Sequence, residues 1–295
     1  MLCLIHSDWK VISLNIEVFD QAKILKLLPD RDPYGHKGSF GKVLLLCGSK
    51  GFTGAAYLAA MGALRTGAGL VFLGVPESIY AIEATKLNEP VVFSLPDEDG
   101  TLRKDASADI LKRLPQMDAV LIGCGLGQSE GTLEVVKTVL QHAACPVVID
   151  ADGINVLKQH KHLLRGRTYP TIITPHDGEF LRFGGELGND RMESAARFSR
   201  EWNSIVLLKG HRTCITDGDR GFINHTGNPG MAVGGSGDIL AGMIVSLLGQ
   251  GIPPLEASAC AAWLHGAAGD LCAQEIGQYG MLPTDLLIRI PRFMK

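Results

Sequence analysis

The 295-residue chain carries 28 basic and 31 acidic side chains, a formal net charge of -3, which excludes the basic footprint of general nucleic-acid binding. With 46% hydrophobic and 20% charged residues it has the composition of a folded globular protein. Its seven cysteines form no CxxC pair and are odd in number, against a disulfide framework or zinc ribbon and in favour of a reducing compartment.

Residues 1–35 read as an N-terminal extension, with an apolar patch at 11–14, a short helical stretch and Pro29-Asp-Arg-Asp-Pro33. From residue 36 to 295 the pattern reads as one domain. Val43–Cys47 is an apolar run between glycines, Ala55–Ala68 a helix of small residues and Leu70–Val75 a second strand. Strand signals recur at Asp118–Gly123, Pro146–Asp150, Thr171–Thr174 and Ser204–Lys209, with helical patterns at Gly131–His142 and Asp190–Trp202 between them. Continuously apolar strands alternating with helices predict a mostly parallel sheet covered on both faces. Cys214–Ile215 and Gly221–His225 flank the turn Asp217-Gly218-Asp219 and predict a hairpin. Two helices rich in Ala, Leu and Gly follow, at Asp238–Gly249 and Leu255–Glu275. The longest apolar stretch, Ile239–Leu248, is about half the ~20 residues of a membrane span, and Asp8 and Lys10 interrupt any leader. A cytoplasmic protein with no membrane partner is expected.

Asn228-Pro-Gly-Met-Ala-Val-Gly-Gly-Ser-Gly-Asp238 runs directly into a helix. Gly234, Gly235, Ser236 and Gly237 can converge backbone N–H groups at the helix start, a cradle for phosphate oxygens. Asp238, in the first turn, can take a proton from a hydroxyl attacking a phosphoryl group; the plainer reading is a helix cap. Lys209-Gly210-His211-Arg212-Thr213 ends a strand, where α/β ligands bind; alone it would pass for a solvated turn. In Thr174-Pro-His-Asp-Gly-Glu179, His176 and Glu179 suit substrate or the water ligands of a cation, and a turn with a helix cap suits the stretch as well. Gly123-Cys-Gly-Leu-Gly127 misses the dinucleotide fingerprint; Asp150 and Asp152 fit a Mg-water shell or a cap. Gly48–Gly54 is not a phosphate-binding Walker loop. The basic run from His160 to Arg167 reads as a solvated face, and His265 as a core histidine. No His/Cys metal spacing is present, so no protein metal ligands are expected.

In this order, KGSFGKVLLLCGSKGFTGAAYLAA, IGCGLG, VVIDADGINVL, TPHDGEF, LLKGHRT and TGNPGMAVGGSGDILAG resemble the NAD(P)H-hydrate dehydratases, from about Lys37 to the C-terminus. The resemblance implies an α/β, ribokinase-like fold. It also implies dehydration of (6S)-NADHX and (6S)-NADPHX to NADH and NADPH, driven by ADP in preference to ATP, by phosphorylation of the ring hydroxyl and loss of phosphate. Carried over, Ala55, Gly125 or Gly127, His176 and Asp238 would contact the hydrate. Lys209, Gly210, His211, Arg212, Thr213 and Gly237 would contact the nucleotide, and Mg²⁺ would travel with the phosphates. The chain departs from the common pattern at Cys124 and Asp177, where Pro is usual, and at Val233, where Thr is usual. A homo-oligomer, with a homotetramer as first expectation, follows from the resemblance and the apolar C-terminal helices. The epimerase domain fused to some relatives is not read here, so a separate epimerase is the expected functional partner. The competing expectations are an ATP-dependent small-alcohol kinase of the thiazole or hydroxymethylpyrimidine type, and a nucleotide sensor without turnover.

Overall fold

The computed structural model describes residues 14–294. In chain order its strands are β1 (Asn15–Glu17), β2 (Lys42–Leu46), β3 (Leu70–Pro76), β4 (Val91–Leu95), β5 (Asp97–Glu98), β6 (Thr101–Leu102), β7 (Ala119–Ile122), β8 (Val147–Ile149), β9 (Thr171–Ile173), β10 (Ile205–Leu208), β11 (Cys214–Thr216) and β12 (Arg220–Ile223). The helices are α1 (Gln21–Leu27), α2 (Thr53–Arg65), α3 (Glu77–Lys86), α4 (Ala106–Arg113), α5 (Glu130–His142), α6 (Asp152–Val156), α7 (His162–Arg165), α8 (Asp177–Arg182), α9 (Arg191–Trp202), α10 (Ser236–Gly249), α11 (Pro254–Glu275) and α12 (Pro283–Leu287).

Ten strands form one sheet in the order β1-β12-β11-β10-β9-β8-β7-β2-β3-β4. All neighbours are parallel except β11, which is antiparallel to β10 and to β12. β5 and β6 make a separate small hairpin. The mostly parallel sheet and the hairpin of β11 with β12 agree with the expectation. Strand periodicity divides the core: Val43 and Leu45, Leu121, Val148 and Leu207 face one helix layer, with α2, α10 and α11. Leu44 and Leu46, Val120, Ile122, Val147, Ile149 and Leu208 face the other, with α4, α5 and α9. Because both faces are covered, the strands read as continuous apolar runs rather than alternating ones.

Most of the patch at 11–14 lies outside the described residues. Within 14–35, β1 pairs in parallel with β12 at the sheet edge, and Phe19 packs edge-on against Phe222 at 4.4 Å between ring centroids. One expectation fails. Arg167 is buried rather than solvated, because its guanidinium donates to the carbonyls of Val139, Leu140, Ala143 and Cys145. Four acceptors compensate the desolvation that would otherwise keep an arginine at the surface.

The site depends on how α2 meets α10. A Cβ on Gly242 would lie 2.1 Å from the Ala59 carbonyl oxygen, and one on Gly62 would lie 2.6 Å from that of Ile239. Glycine at both positions lets the two backbones touch. Among the described residues, no helix is long and apolar enough to cross a membrane.

Candidate active site

The carboxyl ends of β2, β7, β8, β9 and β10 bring most of the singled-out residues together. Asp238 lies in the first turn of α10. Its carboxylate, that of Asp150 after β8 and the Cys124 thiol after β7 present ligand atoms all within 4.8 Å of one another. Lys209, at the end of β10, extends its ammonium to Asp150 Oδ1 at 2.8 Å and stands 3.8 Å from Glu179 Oε2. Thr174 donates to the same Asp150 oxygen at 2.7 Å. The loops after β9 and β10 stay paired beyond the strands: Lys209 N donates to Pro175 O, and His176 bridges Lys209 in parallel.

Burial pushes the Asp238 carboxyl up to about 7, and repulsion from Asp150 adds to it, while the Lys209 ammonium pulls the other way. A carboxylate poised near neutrality is what a general base at this point requires. Burial alone would lower the Lys209 pKa, but Asp150 and Glu179 outweigh it and the net shift is upward. The Cys124 thiol is pushed well up by its hydrogen bond with Cys47 and by burial, so it stays protonated and unreactive.

The glycine-rich turn precedes Asp238. Gly235 has φ +100°, and a Cβ there would lie 2.3 Å from Leu58 Cδ1 of α2. The N–H groups of Gly234 and Gly235 donate to no protein acceptor among the described residues. Ser236 N donates to Val233 O at 3.3 Å, and with the free amides of Gly237 and Asp238 the glycine N–H groups form a donor cluster suited to phosphate. Ser236 Oγ lies 3.3 Å from His265 Nε2, and burial holds that imidazole down to about 4, so it is neutral. His265 is thus a core histidine whose neutral ring supports the turn.

Ala55, near the start of α2, meets the loop after β7: a Cβ on Gly125, φ +60°, would lie 2.7 Å from Ala55 Cβ. Ser49 Oγ donates to Gly125 O at 2.8 Å and holds that approach. Gly127 stands one step further out, its N–H donating to Asp152 Oδ2 at 2.9 Å. Asp150 therefore serves the lysine and Asp152 serves the loop. His176 caps α8: Nδ1 accepts from the N–H groups of Gly178 and Glu179, and Glu179 returns a bond to His176 N. The turn with a helix cap that the stretch also suits is present, with His176 as the cap and Glu179 completing the capping box. Gly210, His211 and Arg212 are exposed at the rim, and Thr213 Oγ1 closes the turn on Gly210 O.

Sequence reasoning missed Arg191. From the first turn of α9 it grips both Asp177 oxygens at 2.5 Å and donates to the carbonyls of Leu208 and Lys209 at 3.3 and 3.0 Å. It ties the His176 loop to the Lys209 loop. Only the fold joins positions so far apart in sequence.

Against this geometry, the NAD(P)H-hydrate dehydratase family model matches residues 43–292. The chain belongs to the NAD(P)H-hydrate dehydratase family. It is 45% identical over 274 residues to the bifunctional NAD(P)H-hydrate repair enzyme of Moorella thermoacetica, covering 91% of this chain and 52% of that protein. The chain therefore spans about half the length of such bifunctional relatives. It is 35% identical to the ADP-dependent (S)-NAD(P)H-hydrate dehydratase of Bacillus subtilis, covering 96% of this chain and 99% of that one. A crystal structure of the Bacillus subtilis ADP/ATP-dependent NAD(P)H-hydrate dehydratase, co-crystallised with ATP and Mg²⁺, superposes with TM-score 0.81 at 34% identity. That match covers 96% of this chain and 98% of the other. The ribokinase-like α/β fold of this dehydratase-family chain agrees with the expectation.

The residues present are a poor cage for Mg²⁺. The cluster offers a protonated thiol, one carboxylate already engaged by an ammonium, and the largely buried Asp238 carboxyl. Mg²⁺ prefers six hard oxygen ligands and keeps its waters.

Proposed function

We propose that this protein dehydrates (6S)-NADHX and (6S)-NADPHX to NADH and NADPH, with ADP as the preferred phosphoryl donor and ATP as the lesser one. The observation that carries the reading is Asp238, with its carboxyl near 7, beside the amides of Gly234, Gly235 and Gly237, which have no protein acceptor among the described residues. Ala55, Gly125, Gly127 and His176 are proposed to hold the hydrated nicotinamide. Lys209, Gly210, His211, Arg212, Thr213 and Gly237 are proposed to hold the adenine nucleotide.

In the proposed reaction Asp238 accepts the proton of the ring hydroxyl as its oxygen attacks the terminal phosphorus of the nucleotide. The bond to the leaving phosphate oxygen breaks, and AMP departs from ADP. The amides of Gly234, Gly235, Ser236 and Gly237 stabilise the charge on the transferring oxygens. The ring nitrogen lone pair then expels the new phosphate ester as inorganic phosphate and leaves a ring iminium, and loss of a proton from the adjacent ring carbon to the departing phosphate restores the dihydronicotinamide. Mg²⁺ is proposed to arrive with the nucleotide phosphates. The same reading includes a homo-oligomer, a homotetramer first, and an epimerase activity that supplies the S epimer.

The test is recovery of reduced-nicotinamide absorbance from (6S)-NADHX with Mg²⁺ and ADP, ATP or no nucleotide. Recovery with ADP, slower with ATP and absent without nucleotide, is the expected result. No recovery with either nucleotide on folded protein would overturn the reading in favour of a small-alcohol kinase.

A further inference from the structure

At α6 and α8 lies a groove of about 420 Å³ lined by Gln128, Ile154, Asn155, Lys158, Arg182 and Phe183. Its mouth is bounded by both loops proposed to hold the hydrate. Gln128 follows Gly127, and its side-chain amide donates to Asp152 Oδ1 at 3.0 Å, next to the bond from Gly127 N to Oδ2. On the opposite wall Arg182 folds back over Gly178. A Cβ on Gly178 would lie 3.0 Å from His176 Cε1 and 3.3 Å from Arg182 Nη1, so guanidinium and imidazole flank the same glycine.

The groove's charge is unbalanced. Among the described residues, neither Lys158 nor Arg182 takes part in an ion pair. Arg191 and Arg200, by contrast, are paired to Asp177 and Glu193. Two cations outside any ion pair share the lining with the Gln128 and Asn155 amides and with buried Ile154 and Phe183, a set of groups suited to phosphate oxygens beside an apolar surface. The groove lies past the hydrate loops, separate from the Lys209–Thr213 loop.

We propose that this groove is a second anion subsite, which binds phosphate oxygens of the distal half of the dinucleotide hydrate while the nicotinamide lies at Asp238. The inference rests on the dehydratase reading. It gives a dinucleotide a reason to be preferred over a lone nicotinamide nucleotide, because binding energy from the remote half holds the reacting ring. Two phosphates of such a substrate have the required chemistry, the bridging pyrophosphate and the ribose 2′-phosphate of the NADPH form.

The test is the double substitution K158Q/R182Q, with its melting temperature compared with wild type to establish folding. Loss of two charge-assisted contacts should lower kcat/KM about tenfold or more. A fall confined to (6S)-NADPHX assigns the groove to the 2′-phosphate. An equal fall for both hydrates assigns it to the pyrophosphate. In either case the loss in wild type on adding salt should be reduced in the variant. Unchanged kcat/KM for both hydrates, in a system where wild type turns both over, would overturn the subsite and leave the dehydratase reading intact. If wild type turns over neither hydrate, that reading falls, and NADPH fluorescence titration decides the groove. About tenfold weaker NADPH binding by the variant supports it, and equal affinity refutes it.

Discussion

If Asp238 is the base, the acidic limb of the pH–rate profile belongs to it, and Asp150 sets part of its position. The rate should fall tenfold per pH unit below about 7, where the Asp238 carboxyl holds its proton. Asp150→Asn removes a negative charge whose ligand atom lies within 4.8 Å of that of Asp238. At an effective dielectric of about 20 that repulsion is about 3.5 kcal/mol, or about 2.5 pH units. Solvent at the partly open mouth screens some of it, so a downward move of about one to two units is expected. Lys209, released from its partner at 2.8 Å, would act on Asp238 in the same direction. The asparagine keeps an acceptor for Thr174, so the fold should survive. The assay is kcat/KM for (6S)-NADHX between pH 5 and 9, with ADP saturating, for both proteins. A limb that stays in place, or moves to higher pH, would refute the assignment of Asp238 as base and Asp150 as its electrostatic neighbour.

Three further outcomes follow from the same geometry. Asp238→Asn should lower turnover by roughly 10²–10⁴-fold with nucleotide affinity kept. Because the folded protein holds this proton more tightly than the unfolded chain, stability is greatest at acid pH and falls as pH rises towards 7, so the variant should gain up to about 4 kcal/mol at pH 8 and little at pH 4. Urea titrations at the two pH values check the sign. Gly237→Val should weaken nucleotide binding about tenfold or more, because a Cβ there already lies 3.4 Å from Lys209 Nζ and the branches would displace the ammonium from Asp150; calorimetric titration with ADP measures it. Arg191→Met should raise the KM for ADP about tenfold with a smaller change in kcat, since the carbonyls of Leu208 and Lys209 lose their shared donor. Asp177→Asn should be milder, and a double-mutant cycle should show coupling between the two.

The legible parts of this molecule were those whose signal is local. The strands at Val43–Cys47 and Ser204–Lys209 announced themselves because burial on both faces leaves no polar alternation, and observed bounds of Lys42–Leu46 and Ile205–Leu208 differ by one residue at each end. The start of α10 was legible because glycines and an acid at a helix N-terminus have few other uses. β4 and α3 went unread: Val91–Leu95 lies at the sheet edge and α3 buries only Ile79 and Glu83, so neither carries a strong pattern. Arg167 misled because a basic run looks solvated until the carbonyls that surround one member are in place. His176 was singled out for its chemistry, yet its role as cap emerges only from the backbone it faces.

The crossing of α2 and α10 has a consequence for motion. Backbone resting on backbone at Gly62 and Gly242 leaves no side chain between the helices that could rotate to let one slide. Ala55 and Asp238 ride on these two helices, so one wall of the proposed hydrate pocket and the proposed base form a single stiff block. The opposite wall is different in kind: two loops held by a few polar bonds, through Arg191, Lys209 and the His176 cap. In the proposed reaction, entry of a dinucleotide and exit of AMP would be accommodated by that wall, with the block as its fixed reference. Turnover would be limited there whenever release is slower than chemistry, and substitutions that loosen Arg191 would speed departure while leaving the distance between ring and base untouched.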